Sequence, residues 1–385
     1  MAGRGGLTLR RGAGSFGGKF MWKIDHRRYR LPFLHTVRTA HGPWAEREGV
    51  LIRVVRIEAD GRETGAAGWG EVAPIAWFGS ETLEEAEAAL AALDGRVENL
   101  AEALERVPLA CGCVRAGLAA ALGGGAEGGE RAALVKFLPV AGLLPAGRAA
   151  MAAVEPKLEQ GFRVFKWKVG VEAAVEEWAI LDDLLGRLPE GSKLRLDANG
   201  AWDRRTAERW MERAAERPVE YVEQPCFAEA SHGSSAVRKM DDILRGLAED
   251  YPTPIALDES LGGAGDVARW LAAEWRGVWI LKPALLGEPG PVLAALAKAR
   301  AEVVFGSALE TRVGAQAALR LAFGWAEARA AEPAGESAGA KPRALGFGVW
   351  PLFAETRADG PQTGAFVRAE DVARMNPEAL WNALS

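Results

Sequence analysis

Long apolar runs are missing from this chain: none approaches the roughly 20 residues needed to cross a bilayer. No apolar segment follows the N-terminus either, so neither a membrane span nor a secretion signal is expected. Cysteine is scarce. Cys111, Cys113 and Cys226 cannot build a disulfide framework and suit a reducing compartment, which makes a cytoplasmic location the expectation. The Cys-x-Cys at Cys111 lacks a second ligand pair, so these thiols are expected in the core and not on a metal. A sustained basic patch is absent as well. With a net charge of −5, nothing concentrates lysine and arginine for a phosphate backbone, and nucleic acid is excluded as a partner.

What is present is enough apolar residue, 49% of 385, to bury a large core, either two or three domains or a barrel-sized domain with a smaller one. Residues 1–20 are glycine-rich, carry Arg4, Arg10, Arg11 and Lys19 without an acid, and read as a disordered extension. A transit peptide or a false start upstream of Met21 would each account for the arginines. Residues 21–125 read as a compact α+β unit. Short strands at Trp22–Ile24 and Tyr29–Leu31 precede a loop from Pro32 to Gly49, and a hairpin follows, Val50–Glu58 and Thr64–Glu71 around the Asp60-Gly61 turn. Thr82-x-x-Glu85 is a capping box opening a helix over Leu83–Leu93, with further helices over 97–106 and 108–122. Gly123-Gly124-Gly125 and Gly128-Gly129 then read as a linker.

From 126 to 350 the chain keeps a metre. Short apolar segments ending in a charged or polar residue recur at Lys168, Asp197, Glu223, Asp258, Lys282 and Ser307, at intervals of 29, 26, 35, 24 and 25 residues. A strand, loop and helix occupy about that length, and such units with right-handed crossovers close into a parallel barrel whose strand C-termini carry the chemistry. The expected first strand and its loop lie in Leu134–Leu144, the last strand near Ala344–Val349, and Glu327–Lys341 is expected as a surface loop. Residues 351–385 are expected to pack on the N-terminal unit.

Phe165-Lys166-Trp167-Lys168-Val169-Gly170 puts two lysines on one strand face, with Trp167 on the other. Such a pair needs anions or a developing negative charge opposite it. Leu194-Arg195-Leu196-Asp197, Tyr221-Val222-Glu223 and Leu257-Asp258-Glu259 bring one carboxylate from each of three successive strands to the barrel mouth. Hard oxygen ligands of this kind suit Mg²⁺, with Mn²⁺ possible. Zinc is disfavoured, because His26, His35, His41 and His232 lie outside the strand ends. A single acid at a strand end is more often a cap or an ion-pair partner than a ligand; charged ends on five consecutive units are not accounted for that way.

These motifs, with Asp197-Ala198-Asn199, Glu223-Gln224-Pro225, Asp258-Glu259-Ser260 and Lys282-Pro283, resemble the enolase superfamily in its muconate-lactonizing-enzyme-like branch. Within that branch Gly68-Trp69-Gly70-Glu71, Leu143-Leu144-Pro145-Ala146-Gly147, Leu281-Lys282-Pro283-Ala284 and Gly306-Ser307-Ala308-Leu309-Glu310-Thr311 are most similar to the o-succinylbenzoate synthase family. The resemblance implies an α/β fold, a modified (β/α)7β TIM barrel with an N-terminal α+β capping domain. It also implies Asp197, Glu223 and Asp258 as ligands of Mg²⁺, and Lys168, Lys282 and Lys166 as catalytic. The substrate would be a small-molecule carboxylate, dehydrated to an aromatic product on the way to menaquinone or phylloquinone. Ser307 and Gly346 are candidates for its distal carboxylate, and Arg38 and Phe78 are candidates in the capping loops, about 33–48 and Pro74–Gly79. Arg195 shares a face with Asp197, where it would touch substrate, orient Lys168 or form an ion pair. Two alternatives remain open at this point: an N-acylamino acid racemase or dipeptide epimerase using Lys168 and Lys282 as opposed acid and base, and a non-catalytic binding barrel. Oligomeric state is also open.

Overall fold

A computed structural model of the protein describes residues 21–39, 41–124, 134–331, 342–361 and 364–384. The expected N-terminal extension and most of the glycine linker lie outside the described residues. The capping unit is an antiparallel sheet of β1 (Met21–Thr39), β2 (Gly42–Ile57), β3 (Glu63–Val72) and β4 (Arg96–Val97) in the order β3-β2-β1-β4. Strand alternation makes it two-faced. Val50, Ile52 and Val54 face the helices α1 (Leu83–Ala91), α2 (Leu100–Arg106) and α3 (Gly112–Gly124), whereas Leu51, Tyr29, Leu31 and Phe33 join the barrel's core. The sheet is therefore a partition between cap helices and barrel.

The loop expected from Pro32 to Gly49 is instead mostly strand. β1 and β2 shift register between Pro32 and Val37, then pair again at Val37–Trp44. Pro32 is tolerated because that stretch of β1 is otherwise an edge, covered by the C-terminal segment through Leu34 N–H to Leu352 O (2.8 Å) and Ala354 N–H to Pro32 O (3.0 Å). The Asp60-Gly61 turn and the Thr82/Glu85 capping box form as expected. Gly68 and Gly70 let α3 lie directly on β3: a Cβ at either would stand 1.8 Å from Ala121 O or 1.9 Å from Gly117 O.

β5 (Phe137–Pro139) pairs antiparallel with β13 (Phe366–Arg368). The barrel wall is a parallel sheet of β6 (Gly142–Leu144), β7 (Val164–Lys168), β8 (Lys193–Asp197), β9 (Val219–Glu223), β10 (Ile255–Leu257), β11 (Val278–Leu281) and β12 (Glu302–Phe305), each paired with the next. The helices α4 (Ala149–Glu159), α5 (Ala174–Arg187), α6 (Arg204–Ala215), α7 (Ser234–Asp250), α8 (Ala264–Ala272), α9 (Pro289–Lys298) and α10 (Arg312–Ala330) alternate with the strands. The expected last strand contributes two parallel bridges, Val140–Leu345 and Gly306–Gly346, which close the ring between β6 and β12.

The stretch expected as a surface loop from Glu327 to Lys341 starts as helix. α10 continues to Ala330, since alanine and glutamate favour helix and Ala326 is buried, while 332–341 lie outside the described residues. The chain ends in α11 (Ala369–Ala373) and α12 (Pro377–Ala383), where Trp381 meets Trp69 of the cap edge-on and its carbonyl accepts from Arg27 at 2.7 Å.

Candidate active site

Strand register sets Lys168, Asp197 and Glu223 side by side, because Lys168 pairs with Asp197 and Asp197 with Glu223. Glu223 pairs in turn with Ala256, and Asp258 follows two residues later at the same mouth. Residues just past the strands hold the loops open for this row. Asn199 and Gln224 adopt positive φ, and the buried Gln224 side chain accepts from Asp258 N–H (2.9 Å) and Ser260 N–H (3.1 Å) while donating to Ser260 Oγ and Cys226 O.

The acids are buried and crowded. Lys166 Nζ stands between Asp197 Oδ2 (2.8 Å) and Glu223 Oε1 (2.6 Å), and Lys282 Nζ donates to Asp258 Oδ1. Burial, with the Asp197 charge second, pushes the Glu223 carboxyl up to about 8. Burial also opposes the Lys166 ammonium, but Asp197, Glu223 and Asp258 outweigh it and hold the group well above the ordinary lysine range. Glu259, which accepts from Asn199 Nδ2 at 3.0 Å, is pushed up to about 7 by burial and then by Asp258, and its Oε2 is buried without a partner. Lys168 differs from both other lysines: no carboxylate among the described residues pairs with it, and its one hydrogen bond goes to Arg38 O at 3.4 Å.

As placed, the described residues contain no ready set of three or more His, Cys, Asp or Glu around one point. Two ammonium groups hold the acids instead. The donor set nevertheless fits a hard divalent cation in its chemistry: three buried carboxylates, Asp197, Glu223 and Asp258, are held by two ammoniums, and Glu259 beside them keeps one buried oxygen without a partner among the described residues. A small pocket beside these groups is lined by Lys166, Glu223, Asp258, Lys282, Ser307 and Gly346, so two substrate candidates share a cavity with the acids. Ser307 Oγ donates to Glu310 (3.1 Å) and accepts from Leu309 N–H (2.9 Å). Arg195 also reaches this pocket, yet its described partners are Glu220 at 2.7 Å, Ala344 O at 2.8 Å and the Tyr221 ring, which is the ion-pair reading. Arg38 brings its carbonyl to Lys168 while its side chain is exposed. Phe78, from the Pro74–Gly79 loop, lies under the Lys282 ammonium, 4.1 Å from nitrogen to ring centroid.

The sequence profile described as "Enolase C-terminal domain-like" matches residues 149–340, and "MenC, N-terminal domain" matches 21–123. An o-succinylbenzoate synthase of Thermosynechococcus vestitus is 35% identical over 336 residues, 86% of this chain and 92% of the relative. The chain belongs to the o-succinylbenzoate synthase family of the enolase superfamily. The crystal structure of o-succinylbenzoate synthase from Thermosynechococcus elongatus, complexed with Mg in its active site, superposes with a TM-score of 0.73 at 33% identity, covering 94% of this chain and 99% of that one. The L-Ala-D/L-Glu epimerase of Bacillus subtilis shares the fold at a TM-score of 0.70 and 21% identity, over 90% of this chain and 95% of that one. As in other enzymes of this superfamily, a TIM barrel carries an antiparallel N-terminal sheet.

Several members of the site escaped the sequence reading. Gln224 and the Glu259–Asn199 pair stood in the quoted motifs without a role, and their signal was adjacency to Glu223 and Asp258. Glu310 and Glu71, which brace the Ser307 loop, carried no signal beyond their motifs.

Proposed function

We propose that this lyase performs the syn dehydration of 2-succinyl-6-hydroxy-2,4-cyclohexadiene-1-carboxylate to 2-succinylbenzoate, with Lys168 as the acid and base. One observation carries the assignment. Of the three lysines at the barrel mouth, Lys166 and Lys282 are tied to acids, and only Lys168 has a side chain free of any carboxylate among the described residues. A group that must accept and return a proton has to be unencumbered.

Asp197, Glu223 and Asp258 would hold Mg²⁺, with Mn²⁺ as a substitute. When bound, the cation supplies positive charge against the substrate carboxylate, which gains a second unit of negative charge as the neighbouring carbon loses its proton. Lys168 takes that proton, so the C1–H electron pair moves into the carboxylate-stabilised carbanion. Lys168 then returns the proton to the departing 6-hydroxyl, the C6–O bond breaks, water leaves and the ring becomes aromatic. Lys282, lodged against Asp258 and Phe78, adds a positive charge on the opposite side of the mouth and suits a charge stabiliser better than a second base. Ser307 and the Gly346 backbone bind the succinyl carboxylate. The product feeds the making of menaquinone or phylloquinone.

The test is an ultraviolet assay with the cyclohexadiene carboxylate, with Mg²⁺, with chelator, and with Lys168→Ala. Aromatic product that requires metal and disappears in the variant is the expected result. Turnover by Lys168→Ala at the wild-type rate would remove Lys168 from the mechanism. Absence of wild-type turnover, with solvent deuterium entering dipeptides, would give the epimerase reading instead.

A further inference from the structure

Gln224 is fully buried one residue after Glu223, just past the end of β9. Its Oε1 accepts from Asp258 N–H (2.9 Å) and Ser260 N–H (3.1 Å), and its Nε2 donates to Ser260 Oγ (2.8 Å) and Cys226 O (2.9 Å). The amide has one workable orientation, since the reverse would set its NH₂ against two N–H donors. Gln224 also stands at φ 37°, a region that a long side chain occupies only where its surroundings hold it there.

The turn that Gln224 reaches is the single 3₁₀ turn Glu259–Leu261, and Asp258 occupies its N-cap position. An aspartate so placed ordinarily bends its own carboxylate back onto the N–H of the second or third residue of the turn. Asp258 does not. The N–H of Ser260, the second residue, is taken by Gln224, and the Asp258 carboxylate meets Lys282 Nζ at the barrel mouth instead. A glutamine on one strand end thus does the capping that would otherwise draw the acid of the next strand end away from the mouth.

We propose that Gln224 is a positioning residue for the metal site: it caps the turn in place of Asp258 and so leaves that carboxylate available to a divalent cation. The proposal rests on Asp258 as a ligand. Without the Gln224 side chain, the nearest remaining acceptor for the buried Ser260 N–H is Asp258 itself, because leaving that donor unpaired is costly. A carboxylate engaged in that way is lost to the cation.

Titration of the full chain with Mn²⁺ alone, followed by the electron paramagnetic resonance of the free ion, tests this without turnover. Gln224→Asn tolerates the positive φ but is one methylene too short to reach the turn. Gln224→Met keeps the length and removes the amide. Each should weaken Mn²⁺ binding by about 10- to 100-fold, the usual loss when a group that orients a ligand is removed. Thermal melts in chelator should show both variants folded. Gln224→Glu keeps an accepting oxygen and should stay within about threefold of the wild type. Asp258→Asn should weaken Mn²⁺ as well, and adding Gln224→Asn to it should cost no more than about threefold further, because both act through one carboxylate. Wild-type affinity in Gln224→Asn and Gln224→Met, an equal loss in Gln224→Glu, or a full additional loss in the double variant would each overturn the role of Gln224 and leave Asp258 a ligand. Wild-type affinity in Asp258→Asn would instead remove Asp258 from the ligand set, and the proposal with it.

Discussion

The Lys282 ammonium sits 4.1 Å from the centroid of the Phe78 ring, so a cap residue forms part of the seat of a barrel cation. Such contacts are worth about 0.5–2 kcal/mol, more when desolvated. Phe78→Ala is expected to lower kcat/KM by roughly 3- to 30-fold, while Phe78→Tyr stays close to wild type. Steady-state ultraviolet kinetics on both variants check this, and equal losses in Ala and Tyr would show that ring shape, not the π face, is what counts.

Crowded acids should make the fold sensitive to Mg²⁺. A cation that binds only the folded chain adds about 2.7 kcal/mol at 100 times its Kd. Saturating Mg²⁺ is expected to raise Tm in the wild type, chelator to reverse the rise, and Asp258→Asn to reduce it. Thermal melts with and without Mg²⁺ measure all three.

Glu310 offers a pH signature away from the acids. Burial, and among charges Glu71, push its carboxyl up to about 7 from the ordinary 4.5. Below about pH 4.5 the group is protonated in both states and contributes no difference. Between about 4.5 and 7 the unfolded chain ionises first and the folded state loses ground, by roughly 3 kcal/mol at most; above 7 the deficit is constant. Glu310→Gln removes this titration. Its stability relative to wild type should therefore rise with pH across that window, as urea unfolding at pH 4.5, 6 and 8 would report.

Glu71 is the bolt between the domains. Its carboxylate accepts from Tyr29 Oη of the cap and from Thr311 N–H, Thr311 Oγ1 and Gly314 N–H of the barrel. Glu71→Ala strands four buried donors, each costing about 1–3 kcal/mol if left unpaired, although relaxation and water will recover part. A loss of roughly 3–5 kcal/mol in guanidinium unfolding is expected, with Glu71→Gln intermediate.

The barrel and the row of charged strand ends were legible because each unit repeats one local pattern, an apolar segment closed by a polar residue. Lys168, Asp197, Glu223, Asp258 and Lys282 all stand at or just past strand C-termini. The ribbon over 32–49 was not legible. Pro32 and the charges at Arg38, Glu46 and Glu48 look like loop until the C-terminal segment is seen covering that edge. Partner choice was hidden for the same reason. Arg195 shares a face with Asp197 in sequence, but its pairing with Glu220 depends on how neighbouring strands are staggered, and their register slips between Leu194 and Arg195.

The ring closes through single bridges at Leu345 and Gly346 where every other junction is a ladder, and one of those bridges, Gly306–Gly346, lines the small pocket beside the acids. A junction with so few hydrogen bonds is the easiest place for the wall to part. Amide hydrogens of residues 344–346 should exchange with solvent sooner than those of β8 and β9, and a substrate gripping Gly346 would slow them. The weakest stave of the barrel is then also the one that the proposed contact with Gly346 would fasten.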